Sequence, residues 1–286
     1  GKELFDVIEK FADYAFNKSH TYGYGLITYQ TAYLKCHFPT EYLSCLLTSV
    51  KSNLDKAGLY LADARASNIR VLTPDINRSE MDFAPDPTQE RVILFGLSAV
   101  RNVGEGLVAQ LLEERNANGP YQSFHDFVER VPEPVLNKRT VESLIKAGAF
   151  DNLGHTRRGL LMVFERIIDT TIERRREREK GIMSLFGEEM SGESGFSDRI
   201  EIPTLEFDKT DQLRNEKEML GLYISDHPLM GIEYALRRKV DCTIADARER
   251  DDGAFIIIGG VITNLARKYP KRGDQMAVFV LEDLES

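Results

Sequence analysis

The sequence predicts an α+β chain that is mainly helical, with β structure concentrated near the C-terminus. Three observations carry this reading. Apolar residues recur at helical spacing through much of residues 2–180. Gly and Asn punctuate that stretch where helices end, as at Asn118-Gly119. From residue 240 onward the pattern turns to β-rich runs, "AFIIIGGVITNLARKY" and "MAVFVLEDL", around the turn "PKRGDQ".

At 286 residues the chain is long enough for two or three domains, each with a core. Its 42% apolar and 29% charged residues describe an ordinary globular protein. No apolar run approaches the ~18 residues of a membrane span, and no N-terminal stretch has the layout of a secretory signal. Cys36, Cys45 and Cys242 lack metal-ligand spacing and are expected as reduced core residues of a cytosolic protein. A net charge of −9 argues against indiscriminate nucleic-acid binding, while leaving room for a local basic patch.

In chain order, residues 2–70 read as helical. Leu4, Ile8, Phe11 and Ala15 recur at helical spacing, and "FPTEYLSCLLTSV" puts a Pro at the start of another periodic run. "NLDKAGLYLADARASN" supplies a third helix with a Ser/Asn start at Ser52-Asn53. Two short β-rich runs around Pro-rich turns in "IRVLTPDINRSEMDFAPDPTQERVILFGL" predict a small hairpin or sheet. Residues 96–180 form a second helical region. There "RNVGEGLVAQLLEERNANG" opens at a Gly pair, and Ser123 with Asp126 has a capping-box pattern. "LNKRTVESLIKAGAFDNLG" repeats the scheme of helix, Gly, apolar residue, Gly. Residues 181–208 read as a polar linker containing Ile182, Met183, Leu185 and Phe186. These four either fold back onto a neighbouring domain or enter another protein's pocket. One more helix is expected in 209–238. The C-terminal strands are too few to close a sheet. The chain is therefore expected to stop inside a β domain of a longer protein, in line with its missing initiator Met.

"GLSAVRNVGEGLVAQLLEER" (96–115) has the form of a helix-hairpin-helix. Gly104 and Gly106 are expected to take conformations closed to other residues, turning amides toward a phosphate, with Arg101 and Asn102 beside them. A lone G-x-G also fits an ordinary tight helical turn. A second hairpin at 144–156, flanked by Lys138, Arg139, Lys146, Arg157 and Arg158, favours paired hairpins gripping a duplex backbone. In "FNKSHTYGYGLITYQTAYLK" (16–35), Asn17, Lys18, Ser19 and His20 precede Tyr22, Tyr24, Tyr29 and Tyr33. Composition favours a capping loop with tyrosines in the core; the alternative is contact with a triphosphate and a base. No Asp-x-Asp, P-loop or His pair at ligand spacing stands in the chain. Its residues read as a binding platform.

Taken together, "EKFADYAFNKSHTYGYGLITYQTAYLKCHFPTEY", "LTPDINRSEMDF", "VILFGLSAVRNVGEG", "LNKRTVESLIKAGAFDNLG" and "EMLGLYISDHPL" resemble the C-family replicative DNA polymerases of bacteria. The resemblance implies a later fingers region (1–90) and a helix-hairpin-helix duplex-binding domain (91–180). It also implies a linker with a clamp-binding peptide (181–208), a connecting helix (209–239) and the start of an OB-fold (240–286). The family's catalytic palm would precede Gly1. Mg²⁺ is then expected in that palm, with no catalytic residue or cofactor in this stretch and no primer extension by it alone. The implied partners are primer-template DNA, a deoxynucleoside triphosphate, the sliding clamp (beta) and other polymerase III holoenzyme subunits, in the bacterial cytoplasm and away from membranes.

The family's F-N-K-S-H segment falls on Phe16, Asn17, Lys18, Ser19 and His20. The resemblance assigns Lys18 and His20 to the incoming nucleotide or primer end, with Tyr14 and Tyr24 as stacking or packing neighbours. The clamp peptide's pattern, Gln-x-Ser/Asp-Leu/Met-Phe, falls on Ile182, Met183, Ser184, Leu185 and Phe186. Ile182 replaces the Gln and removes its amide hydrogen bonds, which implies modest affinity. A non-catalytic DNA-binding adaptor and the error-prone paralogue are the competing readings.

Overall fold

The computed structural model describes residues 2–12, 18–180, 199–269 and 275–283. Tyr14, Asn17 and the peptide 182–186 lie outside these residues.

Helix α1 (Lys2–Ala12) and helix α2 (Lys18–His37) open the chain. Both carry large apolar side chains on the surface, among them Leu4, Phe5 and Ile8. Tyr22, Tyr24, Tyr29 and Tyr33 are also exposed, which overturns the expectation that they fill a core. Helix α3 (Pro39–Ser49) starts at its Pro and buries Leu43 and Leu47, one turn apart. Helix α4 (Leu54–Ala66) is capped by the Asn53 side chain, which accepts from the Lys56 amide.

Strands β1 (Arg70–Leu72), β2 (Ala84–Pro85) and β3 (Val92–Leu94) form the expected small sheet, ordered β1-β3-β2. β2 and β3 pair antiparallel with Ala84 opposite Leu94, while β1 runs parallel to β3 with Val71 opposite Ile93. The central strand is wholly buried.

Helices α5 (Glu105–Asn118), α6 (Phe124–Arg130), α7 (Lys138–Ala147) and α8 (Arg157–Glu179) follow. α5 ends at Gly119 and α7 at Gly148, both with positive φ, as the punctuation predicted. At α6 only half of the capping box forms. Ser123 accepts from the Asp126 amide, but the Asp126 carboxylate accepts from the Gln122 amide, one residue early. Among the described residues a complete box forms instead at Thr243 and Asp246, opening a short helix over Ile244–Ala247.

One core runs from Leu43 to Ile224 and continues across position 90. At its centre Phe150 meets Phe124 and Phe127 edge-on, with centroids 5.2 and 4.9 Å apart. Each such buried ring contributes about 1.5–3 kcal/mol.

Beyond the linker, α9 (Lys209–Leu220) joins this core through Met219 and Leu220. The expected single helix of 209–238 is accompanied by a second, short one, α10 (Glu233–Arg237), and α11 (Ile244–Ala247) follows. Strands β4 (Val261–Lys268) and β5 (Met276–Glu282) pair antiparallel, with a bulge between Thr263 and Ala266. The run 254–260, read from sequence as strand, has no ladder partner among the described residues. Instead, the Ile257 amide donates to the Asp241 carboxylate and the Ile257 carbonyl accepts from the Asp241 amide. All three cysteines are free, but Cys36 and Cys45 are exposed and Cys242 is half-buried, so none is a core residue. Among the described residues no helix is long and apolar enough to cross a membrane.

Candidate nucleic-acid interface

The first hairpin follows directly from the central strand β3. Gly96 lies against the backbone of Asp82, where a Cβ would come within 2.5 Å. A 3-10 turn over Leu97–Ala99 leads to Val100 and Val103, both buried, and then to α5. Between the two valines, Asn102 takes the left-handed conformation, with φ 63°. This corrects the expectation for the glycines. Gly104 is the extended N-cap of α5, with φ −83°, and Gly106 is an ordinary helical residue. The turn's reversal belongs to Asn102, a residue type that tolerates left-handed φ. A Cβ at Gly104 or Gly106 would meet nothing within 4 Å. The fold itself therefore has no steric need for these glycines, and their bareness faces open space.

That bareness matters because α5 has no side-chain cap. The Leu107 and Val108 amides donate to the Gly104 carbonyl. The amides of Glu105 and Gly106 have no acceptor among the described residues. Two uncapped amides at the positive end of a helix suit a phosphate oxygen.

The second hairpin is different. Gly148 has φ 88°, and a Cβ there would sit 2.2 Å from the Arg157 guanidinium. Arg157 is 3% exposed and grips Asp151 with two nitrogens, 2.7 and 3.0 Å, with the fully buried Glu216 at 3.8 Å. The N-terminus of α8 is already occupied. Glu206 accepts from the amides of Arg157 and Arg158 at 3.1 and 3.3 Å, and Thr156 caps Gly159.

The two hairpins are joined directly. The Asn102 carbonyl accepts from the Thr140 hydroxyl at 3.1 Å, and its side-chain amide donates to Ser143 at 3.0 Å. The first turn is thereby fastened to the start of α7.

Residues 68–160, which contain both hairpins and the sheet, match the family model described as the helix-hairpin-helix motif. The whole chain has relatives too. It is 43% identical to DNA polymerase III subunit alpha of Mycobacterium tuberculosis over 99% of its own length and 24% of the relative's. It is 42% identical to the Thermus aquaticus subunit, over 98% of this chain and 22% of that one. It is 35% identical to that of Pseudomonas aeruginosa, over 98% and 25%. The resemblance is to the DNA polymerase III alpha subunit. The chain spans about a quarter of the length of these relatives.

Against this resemblance the sequence-assigned residues separate by their partners. Arg101 and Arg139 are exposed and have no side-chain partner among the described residues. Arg158 is exposed, its guanidinium 6.0 Å from the Phe207 ring. Lys138 pairs with Asp169 at 2.9 Å and Lys146 with Glu142 at 2.8 Å. Arg157 is corrected from a DNA contact to a buried structural residue, because Asp151, the Lys146 carbonyl and Glu216 surround its guanidinium. Asn102 shapes the turn and ties it to α7. Lys18, Ser19 and His20 form the first turn of α2.

Sequence reasoning missed the loop that supports both hairpins. Buried Asp75 accepts from Asn152 in the second hairpin at 2.5 Å and from the Asn77 amide at 2.8 Å. Asn77 exchanges two hydrogen bonds with the backbone of Tyr121. Arg115, 7% exposed, donates to the carbonyls of Ile76 and Ser79. The signal was present as "PDINRS", a dense polar run between two strands, whose length exceeds what a simple turn needs. Lys51 was missed as well. It reaches Glu105 at 2.8 Å, Asp82 at 2.9 Å and Ser98 at 3.1 Å. Its bonds to Glu105 and Asp82 raise its pKa above the ordinary lysine value.

Proposed function

We propose that the chain is the part of a replicative DNA-directed DNA polymerase that holds the primer-template duplex by its backbone. The carrying observation is the α5 N-terminus: two uncapped amides beside bare Gly104 and Gly106, with the unpaired cations Arg101 and Arg139 close by on the two joined hairpins. Backbone-directed groups of this kind position a duplex without reading its sequence. The first hairpin supplies the grip, since Glu206 fills the corresponding end of α8. With Lys138, Lys146 and Arg157 engaged internally, the hairpins neutralise about 2–3 phosphates, for a log–log salt slope of about −2 to −3. Fluorescence anisotropy with labelled duplexes of unrelated sequence, at rising salt, tests this. Equal affinities with that slope are expected. A salt-independent affinity, or a strong preference for one duplex, would overturn it.

The same reading assigns the start of α2 to the nucleotide, with Lys18 and His20 at the triphosphate or primer end and Tyr24 nearby. It assigns the peptide 182–186 to a sliding clamp, and Mg²⁺ to a palm supplied by the rest of such a polymerase. Other holoenzyme subunits and a bacterial cytoplasmic setting follow from that assignment. In the polymerase, Lys18→Ala is expected to raise KM for nucleotide or lower kcat by about 10- to 150-fold. Unaltered kinetics would return Lys18 to a solvated helix end.

A further inference from the structure

We infer that Lys51 is a positioning residue for duplex binding, acting through Glu105 to keep the α5 N-terminus open to a phosphate; this rests on the proposed duplex-binding role. Glu105 is the first residue of α5, and its side chain is 68% exposed. A carboxylate in a helix's first turn is drawn to the free amides and positive dipole there. Left alone, it would cap those amides itself and repel an incoming phosphate. In this fold it accepts instead from the Lys51 ammonium, at 2.8 Å.

Lys51 lies just after α3, far along the chain from the hairpin, and its own position is set by two further bonds. Asp82 and Ser98 accept from it at 2.9 and 3.1 Å, and Ser98 donates to the same Asp82 oxygen at 3.3 Å. Asp82 is itself part of the backbone that Gly96 packs against. The ammonium group is thus anchored to the base of the hairpin. From there it draws the Glu105 carboxylate aside and cancels its charge. The glycines remove bulk from the phosphate's approach, and Lys51 removes the competing anion.

The test is duplex binding by the full chain, read by anisotropy as a function of salt, with urea unfolding as a check on folding. Lys51→Met is expected to weaken binding about two- to fivefold, the size of a first-turn charge effect. Adding Glu105→Gln in that background is expected to restore most of the loss. Glu105→Gln alone, which does not disturb the Asp82 anchor, is expected to bind as tightly as the parent or slightly tighter.

If Lys51 touched a phosphate itself, the double variant would stay as weak as Lys51→Met, and the inference would be overturned. Weaker binding by Glu105→Gln alone would overturn it too, as would parental binding by Lys51→Met. A parent chain without salt-dependent duplex binding removes the proposed function, and this inference with it. Tight parental binding with no rescue removes only the inference.

Discussion

The side-chain amide of Asn102 donates to the Ser143 hydroxyl at 3.0 Å, and this bond joins the turn of the first hairpin to the helix of the second. Asn102 also holds the left-handed conformation that reverses the chain there. Asn102→Ala is therefore expected to cost about 1–3 kcal/mol, from the lost bond and the strained φ together. Asn102→Gly keeps the turn and loses only the bond, so about 1 kcal/mol is expected. Urea unfolding with an unchanged m-value measures both, and equal losses would show that the turn conformation carries no cost.

Arg157 and Arg139 look alike in sequence and are expected to behave oppositely. Removing Arg157 leaves Glu216 buried without its cation, for a loss of about 3 kcal/mol in stability. Arg139→Ala should leave unfolding unchanged while making the duplex salt slope shallower by about 0.9. A stable Arg157→Met chain with a shallower slope would reverse this assignment.

Gly106 offers a separation of stability from binding. It is helical and a Cβ there meets nothing, so Gly106→Ala should stabilise the fold by about 0.5–1 kcal/mol. The same methyl stands where a phosphate would approach, so duplex affinity should fall. Unfolding curves and anisotropy on one preparation decide it.

Stability is also expected to depend on pH through three histidines. Burial holds His125, His155 and His227 below the ordinary value near 6.5, and Arg199 adds to this at His125 and Arg65 at His227. Below about pH 6.5 the unfolded chain then binds more protons than the folded one. Their contribution is complete above that pH and is lost as pH falls toward the lowered folded values. Urea midpoints should drop between neutral and mildly acidic pH, and His155→Gln should flatten the drop.

For the clamp assignment, a peptide covering residues 178–190 is expected to bind a bacterial sliding clamp at ~1–100 μM. Leu185 and Phe186 should supply most of that affinity as apolar anchors. Titration of the parent peptide beside Leu185→Ala/Phe186→Ala checks this, and equal binding by both would return these residues to contacts within their own chain.

The local grammar of the chain was legible without its structure. The start of α3 at Pro39, the cap at Asn53 and the helix ends at Gly119 and Gly148 each depend on residues within one turn, so sequence spacing contains the whole interaction. The hairpin scheme at 96–115 and 144–156 was legible for the same reason. Reading Gly104 as the special conformer failed because Asn102, two residues earlier, satisfies the reversal and is then held by Thr140 and Ser143.

What only the tertiary structure decided was the choice among partners distant in sequence. Arg157 lost its place as a DNA contact because Asp151 and Glu216 converge on it, and the end of α8 was filled by Glu206 from the last part of the segment read as a linker. Lys51 gained a role because the fold brings it to Glu105. By itself the sequence determined which side chains carry charge and where the longer helices begin and end. Folding determined which charges remain free for a ligand, because a buried charge is tolerated only when an opposite one meets it, and that meeting depends on how distant segments pack.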